Sequence, residues 1–302
     1  AVPAGSGGLV ETTVLTASSR AGAATASVTD TTTVPRVYGV SLTPDGAQTI
    51  VPGTTYTYTH QLANTGNATD TFHLALTSTR GWATLASADV YTLPASGMAM
   101  VSVRVAAPSG SGGLVDVAQL TAVSVGDGTV TAGVTDTTTS LYTPGLILGP
   151  NNAVTVLPPA SLVYTHWLTN TGSGSDLFVL EFHSSQGWGT LLETGMVPLA
   201  AGEGISLHVQ IDVPAGTGGL VETSILTVTA QTGGVSARAT DIVSITHLFG
   251  VDLFPDYQQS VPPGATHIYQ HTLHNTGNGP DTFTVTLNSS RGWATLLDTG
   301  PF

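Results

Sequence analysis

Residues 64–76 read Asn-Thr-Gly-Asn-Ala-Thr-Asp-Thr-Phe-His-Leu-Ala-Leu. The first four are turn chemistry: a glycine that tolerates positive φ, flanked by asparagines whose side chains bond the backbone. After Asp70 the pattern alternates. Phe72, Leu74 and Leu76 fall on one face and Thr71, His73 and Ala75 on the other, the period of a half-buried strand. Upstream, Thr54 to Ala63 alternates with Tyr58, His60 and Leu62 sharing a face, and Val40-Ser41-Leu42 ends at the turn signal Pro44-Asp45-Gly46. Downstream, Val101, Val103 and Val105 form another inward row, followed by Leu120 and Ala122, then Ala132 and Val134. Some seven short strands with turns between them, and no helical period, predict an all-β antiparallel sandwich of two sheets.

The stretch recurs. Asn64-Thr65-Gly66 returns as Asn170-Thr171-Gly172 and Asn275-Thr276-Gly277, and Gly81-Trp82 as Gly187-Trp188 and Gly292-Trp293. The inward row returns as Phe178, Leu180 and Phe182, then Phe283, Val285 and Leu287. Pro3, Pro108 and Pro214 each open a Pro-x-Gly-x-Gly-Gly-Leu-Val run. A spacing of 105 or 106 residues is that of a tandem array of one small domain. The expected organisation is tandem immunoglobulin-like antiparallel β-sandwich modules with split modules at both ends. Residues 1–36 are read as the C-terminal part of a module, 37–141 and 142–246 as complete modules, and 247–302 as the N-terminal part of one. The Cys…Trp…Cys signature of antibody domains is missing.

Composition narrows the chemistry. Nineteen acidic residues face six basic ones, all arginine, for a net charge of −13. An acidic chain without a basic cluster is a poor ligand for nucleic acid or anionic membrane. No apolar run reaches the 18 residues of a spanning helix. The absence of lysine excludes Schiff-base chemistry, a P-loop lysine and a Lys–Asn isopeptide cross-link. The absence of cysteine excludes disulfides and thiolate metal sites.

Motif by motif, little suggests catalysis. No nucleophile stands beside a base, no carboxylates pair within a module, and no Gly-x-Ser-x-Gly elbow occurs, so no catalytic residue and no cofactor is expected. The turn loops bring one carboxylate each, Asp70, Asp176 or Asp281, too few for calcium. His60, His166 and His271 repeat one strand position in separate modules and read as partly buried, hydrogen-bonded histidines rather than metal ligands. Trp82, Trp188 and Trp293 read as packing residues. Trp167 has no copy, since Gln61 and Thr272 stand in its place, and is the candidate contact for a ligand such as a glycan. Asn67 and Asn288 head the two glycosylation sequons.

The order Asn-Thr-Gly-Asn, Asp-x-Phe, Gly-Trp, Val-Pro-Ala-Gly and Thr-Asp-Thr-Thr-Thr resembles bacterial immunoglobulin-like repeat modules. It is similar to the NPCBM-associated module found beside alpha-galactosidases and to surface-protein repeats of the CARDB type. The resemblance covers essentially the whole chain, and implies an extracellular, cell-surface, non-catalytic spacer or adhesive stalk.

Neither end piece closes a sandwich by itself, because an isolated hairpin is marginal in water and exposes unpaired edges. Aligned on the second complete module, Ala1 matches Asp212 and Phe302 matches Val197, so only residues 198–211 lack a copy at either end. The expected partner is therefore another copy of the chain joined head to tail, or a flanking repeat of the same polypeptide. Joined chains make a filament, because such a contact does not close on itself. The expected interface comprises Leu9, Val14, Leu15, Ala26 and Val28 against Leu273, Phe283, Val285, Leu287 and Trp293. The alternative is a non-catalytic spacer or glycan-binding region of a larger secreted surface protein or glycoside hydrolase.

Overall fold

The computed structural model describes residues 1–302, and its contacts divide them into two units. The first is Ala1–Thr143 with Gly172–Ser175, the second Pro144–Thr171 with Asp176–Phe302.

The first unit opens with an antiparallel hairpin of β1 (Val10–Ser18) and β2 (Thr25–Thr33), in a register that places Leu15 opposite Val28. A sandwich follows. One sheet holds β3 (Val40–Thr43), β5 (Thr55–Asn64), β9 (Met98–Ala106) and β7 (Ala83–Leu85), in the order β3-β5-β9-β7. The other runs β4-β11-β10-β6-β8, from β4 (Gly46–Ile50), β11 (Thr131–Ser140), β10 (Val115–Ser124), β6 (Asp70–Ser78) and β8 (Val90–Leu93). Pro44 lies where the chain passes from one sheet to the other, so the first strand is divided between them. Its second half, β4, pairs in parallel with β11. This is the immunoglobulin-like arrangement, with nine strands rather than the expected seven. The extra ones are short pieces of three to five residues.

The core is the two inner rows facing each other. Val101, Val103 and Val105 from β9 are fully buried against Leu62, Phe72 and Leu120. At about 1.5–3 kcal/mol per buried side chain, these rows are the main force holding the sheets together.

The second unit repeats the plan. The smaller sheet is β12 (Leu146–Gly149), β14 (Ala160–Asn170), β18 (Gly204–Val213) and β16 (Gly189–Leu191). The larger is β13 (Asn152–Val156), β20 (Ser236–Ile245), β19 (Val221–Ala230), β15 (Asp176–Ser184) and β17 (Met196–Leu199). Leu207, Val209 and Ile211 of β18 take the places of the β9 valines, all fully buried.

The rest of the second unit departs from expectation. Beyond Ile245 only β21 (Val251–Phe254) and β22 (Thr272–Asn275) form, paired with each other. The expected strand through Phe283, Val285 and Leu287 is not made as a ladder. The cause is visible in the complete sandwiches. There β6 and β15 are held between two neighbours, whereas here the only ladder-like backbone bonds are the reciprocal pair between Phe283 and Phe302, at 3.0 and 3.2 Å. That pair repeats the partnership of Phe178 with Val197. Likewise β22 is four residues long where β14 has eleven, because the outer part of β14 is zipped to β18, and β22 has no such neighbour.

Candidate functional site

Each complete sandwich buries the same set of polar links between its strands. In the first sandwich His60 of β5 lies between Pro44 and β11. Its Nδ1 donates to the Pro44 carbonyl (2.8 Å), and its Nε2 meets Asp136 Oδ2 (3.0 Å), with both side chains buried. In the second, His166 does the same with Pro150 (2.8 Å) and Asp241 (2.9 Å). Asn152 adds a bond from Nδ2 to Asp241 Oδ1 (2.8 Å). With Nδ1–H committed to a carbonyl, the Nε2–carboxylate contact holds one further proton between histidine and aspartate. Burial pushes the Asp136 carboxyl up, against the attraction of His60. Burial pulls His166 down, but the hydrogen bond and the charge of Asp241 outweigh it, and its pKa ends above the ordinary value.

A second link ties the break within the divided strand to the last strand of the sandwich. Asp45 Oδ1 accepts from Thr135 N (2.8 Å), and Asn151 Oδ1 from Thr240 N (2.9 Å). A third buries a carboxylate at the start of β10 and of β19. Asp116 accepts from Ser78 Oγ and from Arg80 N, and Glu222 from Ser184 Oγ and Gln186 N, all at 2.7–2.9 Å. The serine that donates also accepts, from Trp82 N in one case and Gly189 N in the other, which fixes the turn at the Gly-Trp motif.

In the third copy, at residues 255–294, one half of each link is present. His271 donates to Pro255 O (2.9 Å), just as its copies do, and Ser289 Oγ accepts from Trp293 N (3.1 Å) and Ala294 N (3.3 Å). Residues of the other half recur in the N-terminal hairpin. β1 pairs with β2 as β10 pairs with β11: Val10 lies opposite Thr33 as Val115 lies opposite Thr139. That register puts Asp30 in the place of Asp136, Glu11 in that of Asp116 and Thr29 in that of Thr135. Asp256 follows Pro255 as Asp45 follows Pro44.

The hairpin is exposed along both strands. Leu15, 66 % exposed, and Val28, 59 %, occupy the positions at which Leu120 and Val134 are buried, and Ala26 that of the partly buried Ala132. Val14 is not on this row: by alternation it corresponds to Gln119, which faces outward in the first sandwich. Leu9 shares the parity of Leu15 but precedes β1, and its copy Leu114 is exposed in the first sandwich. On the other side, Leu273 and Phe283 copy the fully buried Leu62 and Phe72, and Trp293, 84 % exposed, copies Trp82, which is 9 % exposed. Val285 is partly buried and Leu287 exposed.

The Asn-Thr-Gly-Asn turn does work that its sequence did not announce. Asn67 Oδ1 accepts from Val37 N (2.8 Å) and its Nδ2 donates to Pro35 O (2.9 Å), while its carbonyl accepts from Gly7 N (3.0 Å). It thereby fastens the hairpin's leading loop and the connecting segment to the first sandwich. Asn278 does the same with Leu248, Thr246 and Gly218, all at 2.8 Å. Ser173, in the first unit, bonds Thr143 N, Leu141 O and Gly112 N in the same manner. A glycan on Asn67 would have to displace its bond to Pro35, whereas Asn288 is exposed. Trp167 is 55 % exposed on β14.

No protein-family model matches the chain, and no curated protein matches it. Solved structures resemble it at low identity. Titin domains z1z2 in complex with telethonin are 12% identical, with a TM-score of 0.34 over 70% of this chain and 96% of that one. An I-band fragment of titin is 11% identical, with a TM-score of 0.32 over 78% and 74%. Salmonella alpha-2-macroglobulin is 11% identical, with a TM-score of 0.27 over 81% of this chain and 19% of that one. The assignment of the fold rests instead on the chain's own strand order: it is an array of immunoglobulin-like β-sandwiches.

Proposed function

We propose that the chain is a structural segment of an extracellular bacterial filament. In this reading immunoglobulin-like modules follow one another, and the β1–β2 hairpin of one copy completes the open half-module at residues 247–302 of another. The observation that carries the reading is the hairpin itself. It is folded in the register of β10–β11 and β19–β20, yet the row those pairs bury is exposed in it. Its docking restores the larger sheet, with β1 beside residues 281–289. The smaller sheet would still lack a copy of β18, whose row of Leu207, Val209 and Ile211 is fully buried in the second sandwich. The extracellular setting is drawn from the resemblance to surface-protein repeats.

Sedimentation of the whole chain over a concentration series, beside a chain lacking residues 1–36, tests this. The intact chain should form head-to-tail species that lengthen with concentration, and the truncated chain should stay monomeric with both sandwiches folded. A peptide with the sequence of residues 198–211 should strengthen the association by filling the missing row. Association that survives loss of the hairpin removes the joint.

A further inference from the structure

We infer that the divided polar links are a register code for the docking of a second copy. This rests on the joint proposed above and goes beyond it. Asp30 of one chain takes His271 Nε2 of the other, Glu11 takes Ser289 Oγ and Arg291 N, and Thr29 N donates to Asp256.

Apolar contact alone does not fix this register. Leu15 and Ala17 on one strand, and Phe283, Val285 and Leu287 on the other, repeat every second residue, so a slip of two keeps greasy side chains facing each other. The polar links do not survive such a slip. In the complete sandwiches Asp136, Asp116 and Glu222 are all at least 99 % buried, and each reaches its partners at hydrogen-bond distance. Displaced by two residues, Asp30 and Glu11 would be carried into the interface as unpaired carboxylates, which is far costlier than a mismatched methyl group. The receiving side is already set for them. His271 is oriented by Pro255, with Tyr257 edge-on at 5.4 Å, and Ser289 has folded the turn that leads to Trp293. Only the acids are supplied from elsewhere, and the hairpin carries one at each required position.

Two variants separate the code from the joint. Glu11→Ala with Asp30→Ala spoils the hairpin end. Both positions are exposed, so the sandwiches keep their melting profile. His271→Ala with Ser289→Ala spoils the receiving end. Each lost set of charged hydrogen bonds weakens association by about 10- to 100-fold. Either variant alone should therefore stay monomeric at concentrations where the wild type assembles. Mixed in equal amounts, one variant's intact hairpin meets the other's intact receiving end. The mixture should stop at a dimer of about twice the 30.6 kDa chain mass. If the wild type assembles and the hairpin variant assembles equally well, the code is wrong while the joint stands. If the wild type remains monomeric throughout the series, the joint is wrong and the code falls with it.

Discussion

Replacing Asp241 by alanine should be the most damaging single change in the second sandwich outside its apolar rows. The carboxylate is buried between two donors, His166 Nε2 at 2.9 Å and Asn152 Nδ2 at 2.8 Å. Its removal leaves both without this partner, and His166 is fully buried. Breaking a buried pair from one side costs about 3–5 kcal/mol, which lowers the melting midpoint of a sandwich this size by more than about 10 °C. The pH dependence has a definite sign. The folded pKa of His166 lies above its unfolded value of 6.5, so the contribution is complete below that value and is lost as pH rises through the folded pKa. The slope cannot exceed about 1.4 kcal/mol per pH unit for the one proton involved. Urea unfolding of the wild type, Asp241→Ala, His166→Leu and the double variant His166→Leu/Asp241→Leu, at pH 5.5 and pH 8.5, measures all of this. The single variants should lose the alkaline decline, and the double variant should recover part of the stability because it leaves neither member of the buried pair facing an empty place, although the Pro150 carbonyl and Asn152 Nδ2 lose their bonds. Single effects below about 1 kcal/mol, or strictly additive ones, would refute the reasoning.

Gly218→Ala tests the asparagine fastening. A Cβ there would come within 2.0 Å of Asn278 Oδ1, so amide exchange over residues 247–279 should rise while the second sandwich melts unchanged. Val243→Thr tests a local defect. Tyr58 Oη bonds Thr138 Oγ at 2.9 Å, but in the second sandwich Val243 stands in that place and Tyr164 Oη is buried without a partner. The added hydroxyl should raise stability by about 1 kcal/mol, measured by denaturant unfolding. Trp167→Ala should leave the melting midpoint nearly unchanged, because the indole is largely exposed. A glycan-array signal that survived it would remove that side chain as the contact.

The strands with long inward rows were legible because period 2 survives in the sequence wherever one face is buried, as in Phe72-Leu74-Leu76 and Val101-Val103-Val105. The pieces missed, β4, β7, β8 and their copies, are too short to show a period, and β4 is assigned only by its parallel partner β11. The site was less legible. The repeated histidines read as partly buried and hydrogen-bonded, whereas His60 and His166 are fully buried, and their acids lie 76 and 75 residues away with nothing local to mark the pairing. The Thr-Asp-Thr-Thr-Thr motif held one of them in view without giving it a role. Asn67 read as a turn residue, although its side chain fastens a neighbouring segment. The half-module at residues 247–302 was expected to carry more strands than it does, because sequence pattern records what a strand can pair with, and the pairing itself needs the neighbour.

The most direct test of the joint uses the absence of cysteine. Thr121 lies opposite Ala75, and Thr227 opposite Glu181, on the outer face of the completed sheets. Their copies at the joint are Thr16 and Thr286. A chain with Thr16→Cys and Thr286→Cys, oxidised under mild conditions, should give a ladder of disulfide-linked multimers on a non-reducing gel. A chain with Thr16→Cys and Thr284→Cys, two residues out of register, should not. Equal ladders from both, or none from either, would contradict the account.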